Sequence, residues 1–129
     1  MKANIVIFIC IVCCIVSAVL IVLLNNRTDL AFVKTAKSVS WRGQTELSTE
    51  ETIQICAIFD GKILYRDNLS CGFSENVAVV FNENQTFCIA CDSCPIVYWK
   101  EKNKYFNITE AQKKQLYSIL KEHGLSFYF

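Results

Sequence analysis

The sequence predicts an α+β protein, in which an N-terminal transmembrane helix precedes a small antiparallel β-meander of about five strands and one C-terminal packing helix. Three observations indicate this order: an uninterrupted apolar run at the start, short β-rich segments between turn residues in the middle, and an amphipathic segment near the end. The predicted divisions are an anchor (1–24), a juxtamembrane spacer (25–51) and a cysteine-containing domain (52–129). We also predict a short helix within 25–38 and a terminal strand or core cover at 125–129.

The anchor is the apolar run from Ile5 to Leu24, which contains no charged residue and no Pro, Gly or Asn. At roughly 1.5 Å per residue it forms a helix of about 30 Å, which matches the hydrocarbon core of a bilayer. A cleaved signal peptide is the alternative, because Val16-Ser17-Ala18 resembles a cleavage site. Apolar residues continue beyond that tripeptide, so the sequence favours an uncleaved signal-anchor that crosses the cell membrane once.

The part of the chain after the anchor is electrically neutral. Lys2 is the one basic residue before it among the 13 Lys and Arg, so twelve basic residues remain against 12 Asp and Glu. Binding of nucleic acid depends mainly on basic groups that contact phosphates. Because the domain is neutral and has no basic run, we predict that nucleic acid is not a partner.

Short β-rich segments bounded by turn residues indicate the meander. A first hairpin is predicted from Thr52–Phe59 and Lys62–Arg66, because the Asp60-Gly61 pair between them is a strong turn signal. Three further strands are predicted over residues 76–81, 85–91 and 96–100, and Tyr105-Phe106 adds a short piece after a polar turn.

The predicted C-terminal helix has a defined start, face and end. Thr109 and Gln112 have the spacing of a capping box, and Gly124 stands where a left-handed cap ends the helix. An apolar face recurs at helical spacing and comprises Leu116, Ile119, Leu120 and His123. The opposite side is predicted to face water and comprises Lys113, Lys114 and Gln115.

The eight cysteines are divided between the anchor and the domain. Small apolar filler is the simplest interpretation of the anchor cysteines, with palmitoylation or a disulfide between two anchors as alternatives; they are Cys10, Cys13 and Cys14. The domain cysteines predict up to two disulfides that stabilise a small core, with one thiol left over; they are Cys56, Cys71, Cys88, Cys91 and Cys94. Their pairing does not follow from the sequence.

Cys88, Cys91 and Cys94 stand at successive spacings of three, which lets one loop wrap a metal ion or cluster. The stretch resembles the start of the bacterial ferredoxin pattern, in which three cysteines hold a four-iron cluster and a fourth, followed by Pro, lies further on. Here Pro95 follows the third cysteine, so Cys56 or Cys71 would have to complete an Fe–S site from a distance. The same spacing also suits a Zn site, or thiol–disulfide exchange between Cys91 and Cys94.

Opposing features indicate the side of the membrane that the domain faces. Basic residues near the anchor are more numerous after it than before it, which favours a cytoplasmic domain. The domain cysteines and four N-glycosylation sequons favour the other side; the sequons begin at Asn26, Asn68, Asn84 and Asn107. On this balance we predict an extracytoplasmic domain.

No assembly of nucleophile, base and orienting residue is recognisable in the sequence. The single histidine, His123, lies near a helix C-terminus, which favours its charged form without a catalytic role. A dense aromatic set suits either sheet packing or partner contact; it comprises Tyr98, Trp99, Tyr105 and Phe106. The sequence therefore predicts a membrane-tethered, non-catalytic interaction or accessory domain with a protein partner. The alternative is a thiol redox or metal-binding protein that uses the Cys88 to Cys94 loop.

Overall fold

The computed structural model describes residues 2–25, 27–28 and 39–125, and it confirms the predicted α+β class. Its first element, α1 (Lys2–Asn25), contains the predicted span and is long and apolar enough to cross a membrane. The juxtamembrane helix and the terminal strand predicted from the sequence fall largely outside the described residues.

Six antiparallel strands form one sheet. Their bounds are β1 (Val39–Trp41), β2 (Thr45–Glu46), β3 (Ala78–Phe81), β4 (Gln85–Ile89), β5 (Ile96–Trp99) and β6 (Lys104–Asn107). They are ordered β2-β1-β3-β4-β5-β6, and two helices accompany them, α2 (Thr49–Phe59) and α3 (Glu110–Glu122). Strands β1 and β2 lie inside the range 25–51 that the sequence assigns to the spacer, so part of that range belongs to the sheet.

Strands β3 to β6 confirm the meander predicted over residues 76–106. Each is rich in β-branched or aromatic residues that suit a half-buried pleated surface. At the β3–β4 turn, Asn82 and Glu83 both have positive φ values, of 52° and 66°. This left-handed backbone matches the twist of the flanking strands, as tight hairpin connections require.

The hairpin predicted from Thr52–Phe59 and Lys62–Arg66 is wrong, because residues 49–59 form helix α2. The Asp60-Gly61 pair does mark a chain reversal, but it ends a helix. Gly61 has a φ of 72°, and the Asp60 amide donates to a carbonyl of the last helical turn at 2.9 Å.

Helix α2 forms although it contains β-branched residues, because its N-terminus is capped and its apolar side chains are buried. The Ser48 hydroxyl accepts from the Glu51 amide, and the Glu51 carboxylate accepts from the Ser48 amide, which completes a capping box. Ile55, Ile58 and Phe59 are then buried at helical spacing. The same residues in a strand would point to both faces of the sheet.

One face of the sheet packs against α2 and α3 and holds the main core. Phe59 of α2 lies in this core, with its ring centroid 6.0, 5.2 and 5.4 Å from those of Phe81, Phe87 and Phe106. Trp99 continues the cluster beside Phe87, at 4.8 Å. These tilted and edge-on contacts are the arrangements that aromatic pairs prefer, and they fix α2 on the sheet.

The other face of the sheet is covered in part by the long connection between α2 and β3 (residues 60–77). Tyr98 and Tyr105 pair across β5 and β6 on this face, with ring centroids 4.9 Å apart. Phe73 of the connection lies over both rings, at 5.7 and 5.5 Å. Tyr65 extends the row through its backbone bridge to Tyr105. Tyr98 and Trp99 therefore point to opposite faces.

Helix α3 confirms the predicted capping box, apolar face and end. The Thr109 hydroxyl accepts from the Gln112 amide at 3.1 Å, and the Gln112 side chain accepts from the Thr109 amide at 3.0 Å. Gly124 has a φ of 90°. The buried apolar residues are Leu116, Ile119 and Leu120. At the helix end, His123 Nε2 lies 3.0 Å from the carboxylate oxygens of Glu51, which joins α3 to the start of α2.

Thr28 lies just beyond the end of α1 and is built into the domain, with only 2% of its surface exposed. Its hydroxyl donates to the Phe59 carbonyl at 2.5 Å and accepts from the Lys62 amide at 2.7 Å. Its amide donates to the Lys62 carbonyl at 2.8 Å, and its carbonyl accepts from the Gly61 amide at 3.1 Å. These four hydrogen bonds, which we call the Thr28 clamp, fasten the chain that leaves α1 to the turn after α2.

The substitution Thr28→Val preserves the side-chain volume but removes the buried hydroxyl, so the Phe59 carbonyl loses a donor and the partly buried Lys62 amide loses an acceptor. We expect the free energy of unfolding of the full chain in detergent micelles, measured by urea denaturation, to fall by about 1–3 kcal/mol. Thr49→Val, in the exposed first turn of α2, is the matched control and is expected to change it by less than about 0.5 kcal/mol. Equal losses in the two variants would contradict the clamp.

Candidate functional site

A disulfide between Cys71 and Cys94 joins two loops at one end of the sheet. Cys71 lies in the connection that crosses the second face, and Cys94 lies in the β4–β5 loop (residues 90–95). Their Cα atoms are 6.3 Å apart, within the usual range for disulfides. The link spans a sequence separation of 23 residues, and in the chain-entropy model such a link stabilises the fold by about 3 kcal/mol. Two of the five candidate cysteines are thus brought together.

Asp92 organises the β4–β5 loop beside this disulfide. Its carboxylate accepts from the Cys94 amide at 2.9 Å and from the Gly72 amide at 3.0 Å. These two backbone hydrogen bonds favour the ionised carboxylate and lower the pKa of Asp92. The Cys91 amide donates to the Gly72 carbonyl at 2.8 Å. The loop is therefore fixed to the connection by hydrogen bonds as well as by the disulfide.

The prediction that Lys113 faces water is wrong, because this residue of α3 is 4% exposed. Its ammonium group donates to the backbone carbonyl of Asp92 and, at 2.7 Å, to that of Cys94. Burial lowers the pKa of Lys113, and the nearby charge of Asp92 acts in the opposite direction. The aliphatic stem packs inside while the charged head satisfies loop carbonyls. Helix α3 is in this way attached to the β4–β5 loop.

Tyr117, one turn after Lys113, holds the start of the same loop. Its hydroxyl donates to the Ala90 carbonyl. Burial raises the pKa of Tyr117, so the phenol remains a neutral donor at physiological pH. Its ring centroid lies 5.4 Å from the Lys113 ammonium, within the range of a cation–π contact. The two side chains together fix the loop from the helical side.

The other three domain cysteines are thiols in the structure. Cys56 is buried within α2. Cys88 is buried on the second sheet face, where it pairs across the strands with Tyr98, and burial raises its pKa to about 11. Cys91 is half-buried, and burial followed by the charge of Asp92 raises its pKa. Because the thiolate is the reactive form, these environments disfavour thiol exchange at Cys88 and Cys91.

Among the described residues, one group has potential metal ligands close together. The sulfur atoms of Cys71 and Cys94 and a carboxylate oxygen of Asp92 all lie within 4.8 Å of one another. Cys94 also belongs to the set predicted from the sequence, whereas Cys88 and Cys91 lie outside this group. The disulfide and a metal ion compete for the same two sulfur atoms, since a metal requires thiolates. The Zn and Fe–S sites stay predictions.

A groove with a volume of about 290 Å³ lies beside the β4–β5 loop. Its walls come from that loop and from residues 110–117 of α3; they are formed by Asp92, Ser93, Glu110, Lys113, Lys114 and Tyr117. Both signs of charge are present, together with one aromatic ring. We refer to this feature below as the loop groove.

The remaining candidates from the sequence lie away from the loop groove. His123 is paired with Glu51 at the far end of α3, where the Ser48 amide, and in second place His123, lower the pKa of Glu51. Trp99 and Phe106 belong to the main core.

Sequence reasoning missed Lys113 and Tyr117 as site residues, because their partners lie 19 to 27 residues away along the chain. The Asp92-Ser93 pair between Cys91 and Cys94 was the local signal of a structured turn. No protein-family model, curated protein or solved structure matches the chain.

The substitution Lys113→Met removes the ammonium group and keeps an unbranched side chain of similar length. We expect the free energy of unfolding to fall by about 1–3 kcal/mol, because loop carbonyls lose a buried donor. The adjacent exposed lysine provides the control, since Lys114→Met is expected to change it by less than about 0.5 kcal/mol. Urea denaturation of the full chain in micelles measures both, and a loss that is no larger for Lys113→Met would contradict the buried role.

Proposed function

We propose that this chain is a single-pass membrane protein with an uncleaved signal-anchor, whose extracytoplasmic domain binds a protein partner and catalyses no reaction. The observation that carries the proposal is the fixed loop at Asp92–Cys94, which exposes Ser93 and is held by the disulfide and by Lys113 beside the loop groove. A surface that is ordered before binding loses little conformational entropy on binding.

The disulfide and the sequons support an extracytoplasmic location. Disulfides form and persist in oxidising compartments and are rare in the cytosol. Asn68 and Asn84 are exposed, so a glycan at either would project from the folded domain. The length of α1, with its uninterrupted apolar surface, supports retention as an anchor in the cell membrane.

The hydrogen bonds made by the polar groups around the loop groove support a non-catalytic role. Lys113 and Tyr117 direct their polar atoms at loop carbonyls, and the Asp92 carboxylate accepts two backbone amides. The half-buried Cys91 thiol nearby has a raised pKa. Lys113, Tyr117 and Asp92 use their polar atoms to hold the loop, which supports a structural role for them.

The rim of the loop groove indicates what kind of partner suits it. Glu110 and Lys114 are exposed and carry opposite charges, and the Tyr117 ring adds an amphipathic surface to the same groove. Rim charges of this kind steer encounter and select the partner more than they add affinity. We therefore propose a polar segment of a protein partner as the ligand.

A second candidate is a metal site in the reduced protein. Cys71, Asp92 and Cys94 would supply two sulfur atoms and one oxygen, the number of protein ligands that leaves one position of a zinc ion open. Reduced cysteines are expected only if the domain faces the cytosol. Zinc that is retained under reducing conditions and lost in the Asp92→Asn variant would favour this candidate over the first.

The partner site is tested by placing a photo-crosslinking amino acid at Ser93, in the loop groove, or at Asn84, in the exposed turn at the opposite end of β4. In the full chain in its native membrane, we expect a discrete adduct from position 93 that is absent from position 84.

Charge reversal provides the control for this experiment. Lys114→Glu reverses a charge on the rim of the loop groove and is expected to slow formation of the adduct by about tenfold, because rim charges act mainly on the rate of association. Lys121→Glu, an exposed lysine near the far end of α3, is expected to leave it unchanged. Absence of an adduct from position 93, or the same adduct from both positions, would overturn the proposed partner site.

A further inference from the structure

The turn after α2 is bonded directly to the chain that leaves the anchor. Arg27 pairs with Ile63 in an isolated antiparallel bridge, and Thr28 is hydrogen-bonded to Gly61 and Lys62. The Arg27 amide also donates to the Leu24 carbonyl at 3.3 Å. Backbone bonding therefore continues from the last turn of α1 into the turn at residues 61–63.

Chain length limits how far this turn can stand from a bilayer that α1 crosses. Thr28 follows the end of α1 by three residues, and a fully extended segment of that length spans at most about 11 Å. The headgroup region on each side of the hydrocarbon core is roughly 5–7 Å deep. The clamp at Thr28 thus holds the turn within or next to the headgroup region.

Ile63 presents an apolar side chain at this position. Among the described residues after α1, Ile53 and Ile63 are the two large apolar side chains that stay exposed, at 64% and 66%. Ile63 is flanked by Lys62 and by its bridge partner Arg27, which is the pattern of an apolar group that enters a membrane interface between basic neighbours.

A second feature of the same surface suits a bilayer interface. An open cavity of about 440 Å³ is lined by Gly61, Lys62, Ile63, Tyr65 and Asn107. Tyr65 donates from its hydroxyl to the Asn107 side chain at 2.5 Å. Tyrosines with an apolar ring and a polar tip are enriched where headgroups meet acyl chains.

We propose that the turn Gly61–Ile63 is a second membrane contact, in which Ile63 inserts at the boundary between headgroups and acyl chains while Arg27 lies among the lipid phosphates. Insertion removes the exposed isoleucine from water, and it limits rotation of the domain relative to the bilayer. The inference rests on the proposed membrane span of α1.

The test uses the full chain in liposomes whose phospholipid acyl chains are brominated near the glycerol end. Ile63→Trp and Ile53→Trp introduce the same fluorophore at two equally exposed positions, while Trp41 and Trp99 are buried and common to both variants. Bromine quenches tryptophan only in close contact. For a side chain buried at interfacial depth, we expect the added fluorescence of Ile63→Trp to fall by about twofold or more, and that of Ile53→Trp to stay unchanged.

Equal quenching in the two variants, or none in either, would overturn the proposal that the turn Gly61–Ile63 contacts the membrane. Flotation of the liposomes on a density gradient separates that failure from failure of the anchor. A chain that floats with the lipid but shows no quenching of Ile63→Trp contradicts only the docked turn. A chain that remains at the bottom of the gradient contradicts the proposed span as well.

Discussion

The covalent link between Cys71 and Cys94 is the constraint on which the loop end of the domain depends. It joins the long connection after α2 to the β4–β5 loop, and it keeps Phe73 over Tyr98 and Tyr105. The second face of the sheet is covered only in part, by this connection, whereas the first is covered by two helices. A domain of this size buries only a small hydrophobic core, so a disulfide across its less covered face contributes a large share of its stability.

Lys113 joins the β4–β5 loop to α3, on the opposite side of the sheet. Its helix packs on the main core, its ammonium group binds the carbonyls of Asp92 and Cys94, and the Asp92 carboxylate binds the Gly72 amide. A continuous set of contacts therefore runs from α3 through the β4–β5 loop to the connection. The walls of the loop groove are fixed relative to one another, which is the property that selective binding of a partner requires.

Local signals account for the parts of this fold that the sequence predicts. The anchor follows from length and apolarity, and α3 follows from the Thr109 and Gln112 capping box with its apolar face. Helix α2 has the equivalent capping box at Ser48 and Glu51. Its β-branched residues and the Asp-Gly pair after it nevertheless suggested a hairpin. The helix forms because it buries its apolar face against the aromatic core. The site itself depends on contacts between distant segments. The disulfide pairing has no local signature. The burial of Lys113 does have one, because Lys113 precedes Leu116 and Leu120 by three and seven residues, which puts it on the apolar face of the helix; its charge suggested a position facing water.

Thiol accounting on protein from native membranes tests the central claim most directly. Cysteines are alkylated under denaturing conditions with and without prior reduction, and each site is then measured by mass spectrometry. If the domain is extracytoplasmic and joined by the disulfide, as we propose, Cys71 and Cys94 react only after reduction, whereas Cys56, Cys88 and Cys91 react without it. Full reaction of all five before reduction, or a disulfide between any other pair, would contradict this account.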